Sequence, residues 1–286
     1  MIIRVFILFF YALLFLQGLA LAQSPAPGNM PAGDQTNEEV SFHYMRSFPD
    51  PAADFSIDNL GNIYILSPGG QLKKLLPNGD SAAIFNNVRK FGKVFSLDVS
   101  NPQKIILYYK NFGTIVVLDR LLNSRAILDL RMHNLLQVKA VGRAYDNNIW
   151  IFDDLEGKLK KISDEGRVID QSADFRMLFD TMPSPSHIID QDKRVYLYDP
   201  ARGVYIFDYF GGFQSRIPFV GWTDFNVIDK TLFGRDDQYL YRYEPSSLRL
   251  QHYAIPGFMK QAQKIVIAPG FVYLLQDGLI KTYAYR

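Results

Sequence analysis

Phe55-Ser56-Ile57-Asp58, Asn62-Ile63-Tyr64-Ile65-Leu66 and Gln71-Leu72-Lys73-Lys74-Leu75-Leu76 are short strand-like runs separated by Gly, Pro and Asn turns. β-Branched and aromatic residues fill the runs, and turn-forming residues bound them. The same order returns at Phe95-Ser96-Leu97-Asp98, near Val138, at His187-Ile188-Ile189-Asp190, at Phe225-Asn226-Val227-Ile228-Asp229 and at Lys264-Ile265-Val266-Ile267. Self-similarity at a period of about 40 residues marks a radial or solenoidal array, each unit one supersecondary block. Units built of strands rather than helices are β-propeller blades.

The units read as blades over 55–86, 95–130, 138–173, 185–219, 224–255 and 263–286. Blade three repeats blade one most clearly, with Asn148-Ile149-Trp150-Ile151-Phe152 followed by Gly157-Lys158-Leu159-Lys160-Lys161-Ile162. Blade five carries Gln238 to Tyr243 and Leu248 to Tyr253 as strands, and its turn is read as lengthened through Gly234-Arg235-Asp236-Asp237. The last unit supplies three strands, at Ile265 to Ala268, Phe271 to Gln276 and Leu279 to Tyr285, where a blade needs four. The unassigned alternating stretch from Val40 to Arg46 is the natural fourth, closing the ring and covering an edge that would otherwise aggregate. The fold class expected is therefore all-β: a six-bladed β-propeller of four-stranded blades, closed by its N-terminal strand.

Of 286 residues, 48% are hydrophobic and 14% aromatic, enough for a large core. The net charge is only +2, with Lys and Arg scattered among Asp and Glu, so no basic stripe of the kind nucleic acid demands is present. Residues 1–22 read as a signal peptide: Arg4, the apolar run Val5 to Leu16, then Ala20-Leu21-Ala22 before Gln23. An uncleaved anchor is the alternative, weakened by Gln17, Gly18 and the small residues of the cleavage pattern. Residues 23–39, rich in Pro, Gly, Ala, Asn and Ser, read as a flexible leader, and 40–286 as one propeller domain. There is no cysteine, which removes disulfides and N-terminal lipidation alike.

The turn pattern Asp58-x-x-Gly61-Asn62-Ile63-Tyr64-Ile65 recurs as Asp146-Asn147-Asn148-Ile149-Trp150-Ile151 and Asp190-x-Asp192-Lys193-Arg194-Val195-Tyr196-Leu197. On these residues the chain resembles the six-bladed NHL-type and TolB-like propellers. Locally, Asp or Asn opens the turn by bonding its own backbone, and Gly takes the positive φ. Asp58, Asp98 and Asp190 are thus turn-formers first. Propellers of this shape include calcium-dependent lactonases that resemble the gluconolactonase and paraoxonase families, whose metal needs acidic and amide ligands, including a Glu, around the channel. This chain has five Glu, at 38, 39, 156, 165 and 244, and none falls on an innermost strand. That pattern counts against catalysis, and no catalytic residue, metal site or cofactor is assigned.

His43, His133, His187 and His252 lack metal-ligand spacing, although His187 begins an innermost strand and could face the channel. Asp153-Asp154-x-Glu156-Gly157 reads as a solvated turn, with a weak cation site as its alternative. What stands out is one set of loops, those leaving an outer strand for the next inner strand. They carry Arg89 and Phe91, Arg131 and Met132, then Phe175, Arg176, Met177 and Phe179, then Trp222, and finally Phe258 and Met259. Aromatic residues, Met and Arg are the compositional mark of interface cores. The alternative is that these residues plug the ends of the blades. Asp174 to Ser186 is the longest insertion, and a helical turn is expected at Phe175 to Phe179.

The expectation is a non-catalytic binding module with a protein partner, such as an outer-membrane protein complex, peripheral to the membrane and binding no nucleic acid. Export by the signal peptide places it in the periplasm first and secreted second. By analogy with TolB-like proteins, an envelope transport or secretion assembly is the expected setting. The alternative is a small-molecule or glycan site in the central channel, extending to a lactonase-like hydrolase.

Overall fold

The computed structural model describes residues 34–35 and 40–286. The signal peptide read over 1–22, and all of the leader except Asp34 and Gln35, lie outside the described residues. Six four-stranded antiparallel blades make up the fold, and the sheet of blade five carries one further short strand. In blade one the strands are Asp54–Ile57, Ile63–Leu66, Leu72–Leu75 and Ser81–Phe85, each paired to the next. The second strand is buried at every position, as a β-branched and aromatic run sandwiched between blades should be. Neighbouring innermost strands touch all the way round, from blade one through blade six and back to blade one.

The ring closes as the sequence requires. Phe42–Phe48 pairs antiparallel with the C-terminal strand Leu279–Tyr285 and becomes the outer strand of blade six. Asp34–Gln35 adds in parallel to the outer strand of blade five, beside Gln251 and His252.

Blade five departs from the sequence reading. Of the stretch taken as a lengthened turn, Gly234 and Arg235 end the second strand, Thr231–Arg235, and Asp236 and Asp237 turn into the third. The turn before the second strand is the tight Asp229-Lys230 pair, both at positive φ. The reason is a packing trade. A Cβ on Gly234 would sit 2.4 Å from the Trp222 indole, so only glycine lets the ring lie flat on that strand. Arg235 is buried by its pairing with Asp224, whose Oδ2 lies 2.6 Å from its Nε.

Candidate docking face and channel mouth

Up-and-down strands send each outgoing loop to the same end of the ring as the loop between second and third strands. On that face five of the six outgoing loops are tied by a backbone bond to the blade they leave. Leu130 N–H donates to Gly113 O at 2.8 Å, Phe175 N–H to Gly157 O at 2.8 Å, and Gly221 N–H to Pro200 O at 2.7 Å. Ile255 and Ala52 make the equivalent bonds to Gln238 and Gly278, each at 2.8 Å. The loops are therefore rigid platforms rather than free excursions.

Two of them carry the same four-residue device. Asp129-Leu130-Arg131-Met132 and Asp174-Phe175-Arg176-Met177 each open a single helical turn, at Leu130–His133 and Phe175–Leu178. Each aspartate caps its turn, accepting from the Arg131 N–H at 3.0 Å and the Arg176 N–H at 2.9 Å. Leu130 and Phe175 are wholly buried and anchor the turn. The arginines reach sideways: Arg131 Nε donates to Phe112 O at 3.1 Å and Arg176 Nη2 to Glu156 O at 2.9 Å. With three positions pinned, the fourth is left outside, so Met132 is 82% and Met177 86% exposed. This device recurs one blade apart and was legible only as composition; its signal is the repeated Asp-x-Arg-Met spacing.

The loop residues singled out from sequence divide by depth. Phe91, Phe175, Trp222 and Met259 are buried, and Phe179 and Phe258 pack partly buried against the same core. Trp222 is sandwiched between Phe219 and Tyr241, at ring separations of 4.4 and 5.0 Å. Solvent meets Arg89, Arg131, Met132, Arg176 and Met177. The aromatic members fasten the platforms, and Met and Arg are what the platforms display.

A second cluster lies at the channel mouth on this face, where the innermost strands begin. Asp54 pairs with Lys264 across the blade six to blade one junction, at 2.7 Å. Asp224 binds Arg235 and also accepts the Ile265 N–H at 2.8 Å. His187, at the start of the innermost strand of blade four, is exposed, with Nδ1 2.8 Å from the Ser186 hydroxyl. The protein crowding its ring and the Lys264 ammonium push its pKa down, against the opposing pull of Asp224 and Asp54.

The turn aspartates do more than shape turns. Asp58 does bond locally, accepting from Leu60, Asn62 and the Tyr64 hydroxyl. Asp190 reaches to the neighbouring blade instead, and Asp98 does both, accepting the Ser100 N–H at 2.9 Å within its own turn. Asp98 takes the Arg143 N–H at 2.7 Å, while Asp190 takes the Tyr145 N–H at 3.0 Å and the Trp150 indole N–H at 2.9 Å. Blade three has Ala144 where blade one has Asp58, each donating its N–H across the turn to Asn148 and Asn62, so the Trp150 donor is satisfied from next door. These carboxylates lock adjacent blades at the hub.

Burial raises the Asp190 carboxyl above its ordinary 3.8, against the counter-pull of Trp150, Tyr145 and Arg143. The native state then holds the proton to a higher pH than the unfolded chain does. This contribution to stability is full below pH 3.8 and is lost as pH rises through the elevated native value. In Asp190→Asn that slope disappears while the acceptor for Trp150 remains. Thermal midpoints across the acidic range check this, and parallel profiles for the two proteins would contradict it.

Among the described residues, no group of three or more His, Cys, Asp or Glu is arranged to hold a metal ion. In the Asp153-Asp154-x-Glu156 turn the cationic position is taken by Lys160, 2.7 Å from Asp153 and 2.9 Å from Glu156.

No family model and no curated protein sequence matches the chain. Solved structures match by fold. Selenomethionine-substituted virginiamycin B lyase from Staphylococcus aureus superposes with a TM-score of 0.57 at 12% identity, covering 86% of this chain and 99% of that one. The β-propeller domain of Cps50 (Swd1) from Myceliophteria thermophila gives 0.57 at 8% identity, covering 85% and 99%. BBS1N, solved in complex with ARL6DN, gives 0.56 at 8% identity, covering 86% and 97%. At such identities the likeness is one of overall architecture: this chain is a six-bladed β-propeller, and its structural neighbours include both a lyase and a domain solved with a protein partner.

Proposed function

We propose that the chain is a non-catalytic, exported protein-binding propeller that docks a partner through its loop face. Its setting in this reading is the periplasm, as an accessory subunit of an envelope transport or secretion complex. The observation that carries the reading is the pair of capped turns holding Met132 and Met177 in the open. A methionine held in the open on a rigid turn by a cap, a buried anchor and an arginine tie is presented with its backbone already ordered, and methionine packs adaptably against partners. BBS1N offers a precedent for a propeller engaging a protein, and the TolB-like resemblance one for the envelope setting. No helix of the described residues is long and apolar enough to cross a membrane, which suits peripheral attachment.

The test is recovery of partners on tagged protein from gently solubilised envelope, with Met132→Ser/Met177→Ser as the comparison. A membrane protein recovered in stoichiometric amount, and reduced about fivefold or more by the double substitution, is the expected result. Equal recovery on both baits would overturn the assignment of this face.

A second reading draws on the charged channel mouth. His187, Asp54, Asp224 and Lys264 could hold a small polar molecule or a glycan, and lactonase-like hydrolysis is the enzymatic extension of that site. Sugar binding that vanishes in His187→Gln, with no partner in the envelope experiment, would favour it.

A further inference from the structure

We propose that the occupant of the loop face is an acidic amphipathic segment of a partner protein, lying across blades one to three. The proposal rests on the docking reading above and gives the partner its chemistry. Arg89, Lys90 and Lys93 stand on the first outgoing loop, and Lys110 on the loop between second and third strands of blade two; all four are exposed. Among the described residues none of them forms an ion pair. Two of the ammonium groups rest on rings instead, Lys90 over Phe91 at 5.0 Å and Lys110 over Phe95 at 4.5 Å.

Apolar surface is interleaved with these charges. Phe95, Phe112, Leu136 and Met132 are all exposed large side chains. Contacts join them into one patch: Phe112 lies against Gly92 of the first loop, and its carbonyl accepts from Arg131 of the second. Beside Leu136 a cavity of about 460 Å³ opens, lined by Lys110, Arg131, Lys139 and Asp154. A surface that offers unpaired cations around exposed rings and methionine is complementary to a segment with carboxylates beside an apolar stripe.

Asp154 separates a polypeptide from an anionic lipid. Its Oδ1 is buried and makes no hydrogen bond, although Lys139 Nζ lies 3.5 Å away. A carboxylate oxygen that is ion-paired but not hydrogen-bonded, in a patch of cations, takes a donor while its neighbours take an anion. A polypeptide supplies both close together and in fixed register, from its backbone N–H groups and its carboxylates, whereas a lipid's phosphate diester brings acceptors and its only donors are mobile headgroup hydroxyls. The chain's low net charge also confines any attraction to this sector, so the partner's charge must be local too.

The probe is a fluorescein-labelled synthetic helix of about 18 residues, five turns of Leu, Ala and Glu with leucine on one face. Its controls are an isomer with scattered leucines, a Lys-for-Glu counterpart and phosphatidylglycerol vesicles, all tested on the propeller by fluorescence anisotropy or sedimentation. The acidic amphipathic probe should bind at least about tenfold more tightly than either peptide control, and the vesicles should not bind. Lys90→Glu/Lys93→Glu/Lys110→Glu should cut affinity about tenfold, chiefly by slowing association, with an unchanged melting temperature. Met132→Ser/Met177→Ser should act on dissociation. Equal binding of the Lys-for-Glu peptide, indifference to the triple substitution, preferential vesicle binding or failure of the acidic probe would each overturn the proposal. If the Lys-for-Glu peptide binds through Met132 and Met177, the acidic chemistry falls and the docking face stands. If no peptide binds and the double Met substitution leaves envelope recovery unchanged, both fall.

Discussion

Deleting residues 40–48 should abolish cooperative folding. The strand Phe42–Phe48 supplies the entire outer edge of blade six through its pairing with Leu279–Tyr285. It also holds blade one: Arg46 donates to the Asn78 carbonyl at 2.6 Å and to the Pro77 carbonyl, and Phe48 is buried among Phe55, Ile63 and Ile280. Phe42 stacks edge-on against Phe258 at 5.8 Å, tying the strand to the last outgoing loop. Without it, Leu279–Tyr285 is a long exposed edge and the blade one to blade six contact loses its cover. The shortened protein should show no single sharp thermal transition by circular dichroism and should elute as aggregates. A milder probe is Phe48→Ala, expected to cost about 3–5 kcal/mol. A truncated protein that melts like the full chain would show that three strands suffice for the last blade.

Trp222→Ala should be nearly as damaging, at about 3–5 kcal/mol in urea unfolding. The indole fills the slot above Gly234 and stacks between Phe219 and Tyr241, in a core that also holds Tyr198 and Phe225. Its backbone carbonyl takes the Tyr198 hydroxyl at 2.7 Å. Removing the ring leaves a cavity that the flanking aromatics cannot close without shifting a strand. Trp222→Phe should recover part of the loss, because a smaller ring still stacks. A loss below about 1 kcal/mol would mean that the loop, and not the core, holds this residue.

The aromatic loop residues illustrate how far the sequence can be read. Blade number and ring closure follow from alternation and turn chemistry, which are local properties of the chain. Whether Phe175 or Met177 faces water is decided by a neighbour from another strand, here Phe207 stacked on Phe175 at 5.1 Å. Composition alone is the same for a plug and for an interface. The strand Thr231–Arg235 escaped for a related reason. Its Gly234 and Arg235 read as a turn until Trp222 and Asp224, from the preceding segment, are in place to explain them. Likewise the reach of Asp98 and Asp190 into blade three depends on inner strands approaching closely. There a Cβ on Gly142 would lie 2.3 Å from the Ile188 carbonyl oxygen. The Asp-x-Arg-Met device is contiguous in both copies, but loop composition registers its Arg and Met and not the spacing that makes Asp129 and Asp174 caps.

Closure by the first strand also sets a clock. Ser41 and Arg286, hydrogen-bonded in the finished ring, are 245 positions apart. At about 5–20 residues per second, the leading strand waits roughly 10–50 s for its mate to be synthesised. Blades one to five can form from neighbouring hairpins in that interval, but the last seam has to wait for the final strand. A chain emerging end-first from a narrow pore would meet the same delay. Its exposed first strand would need shelter, or enough polarity to remain soluble, until the other end arrives.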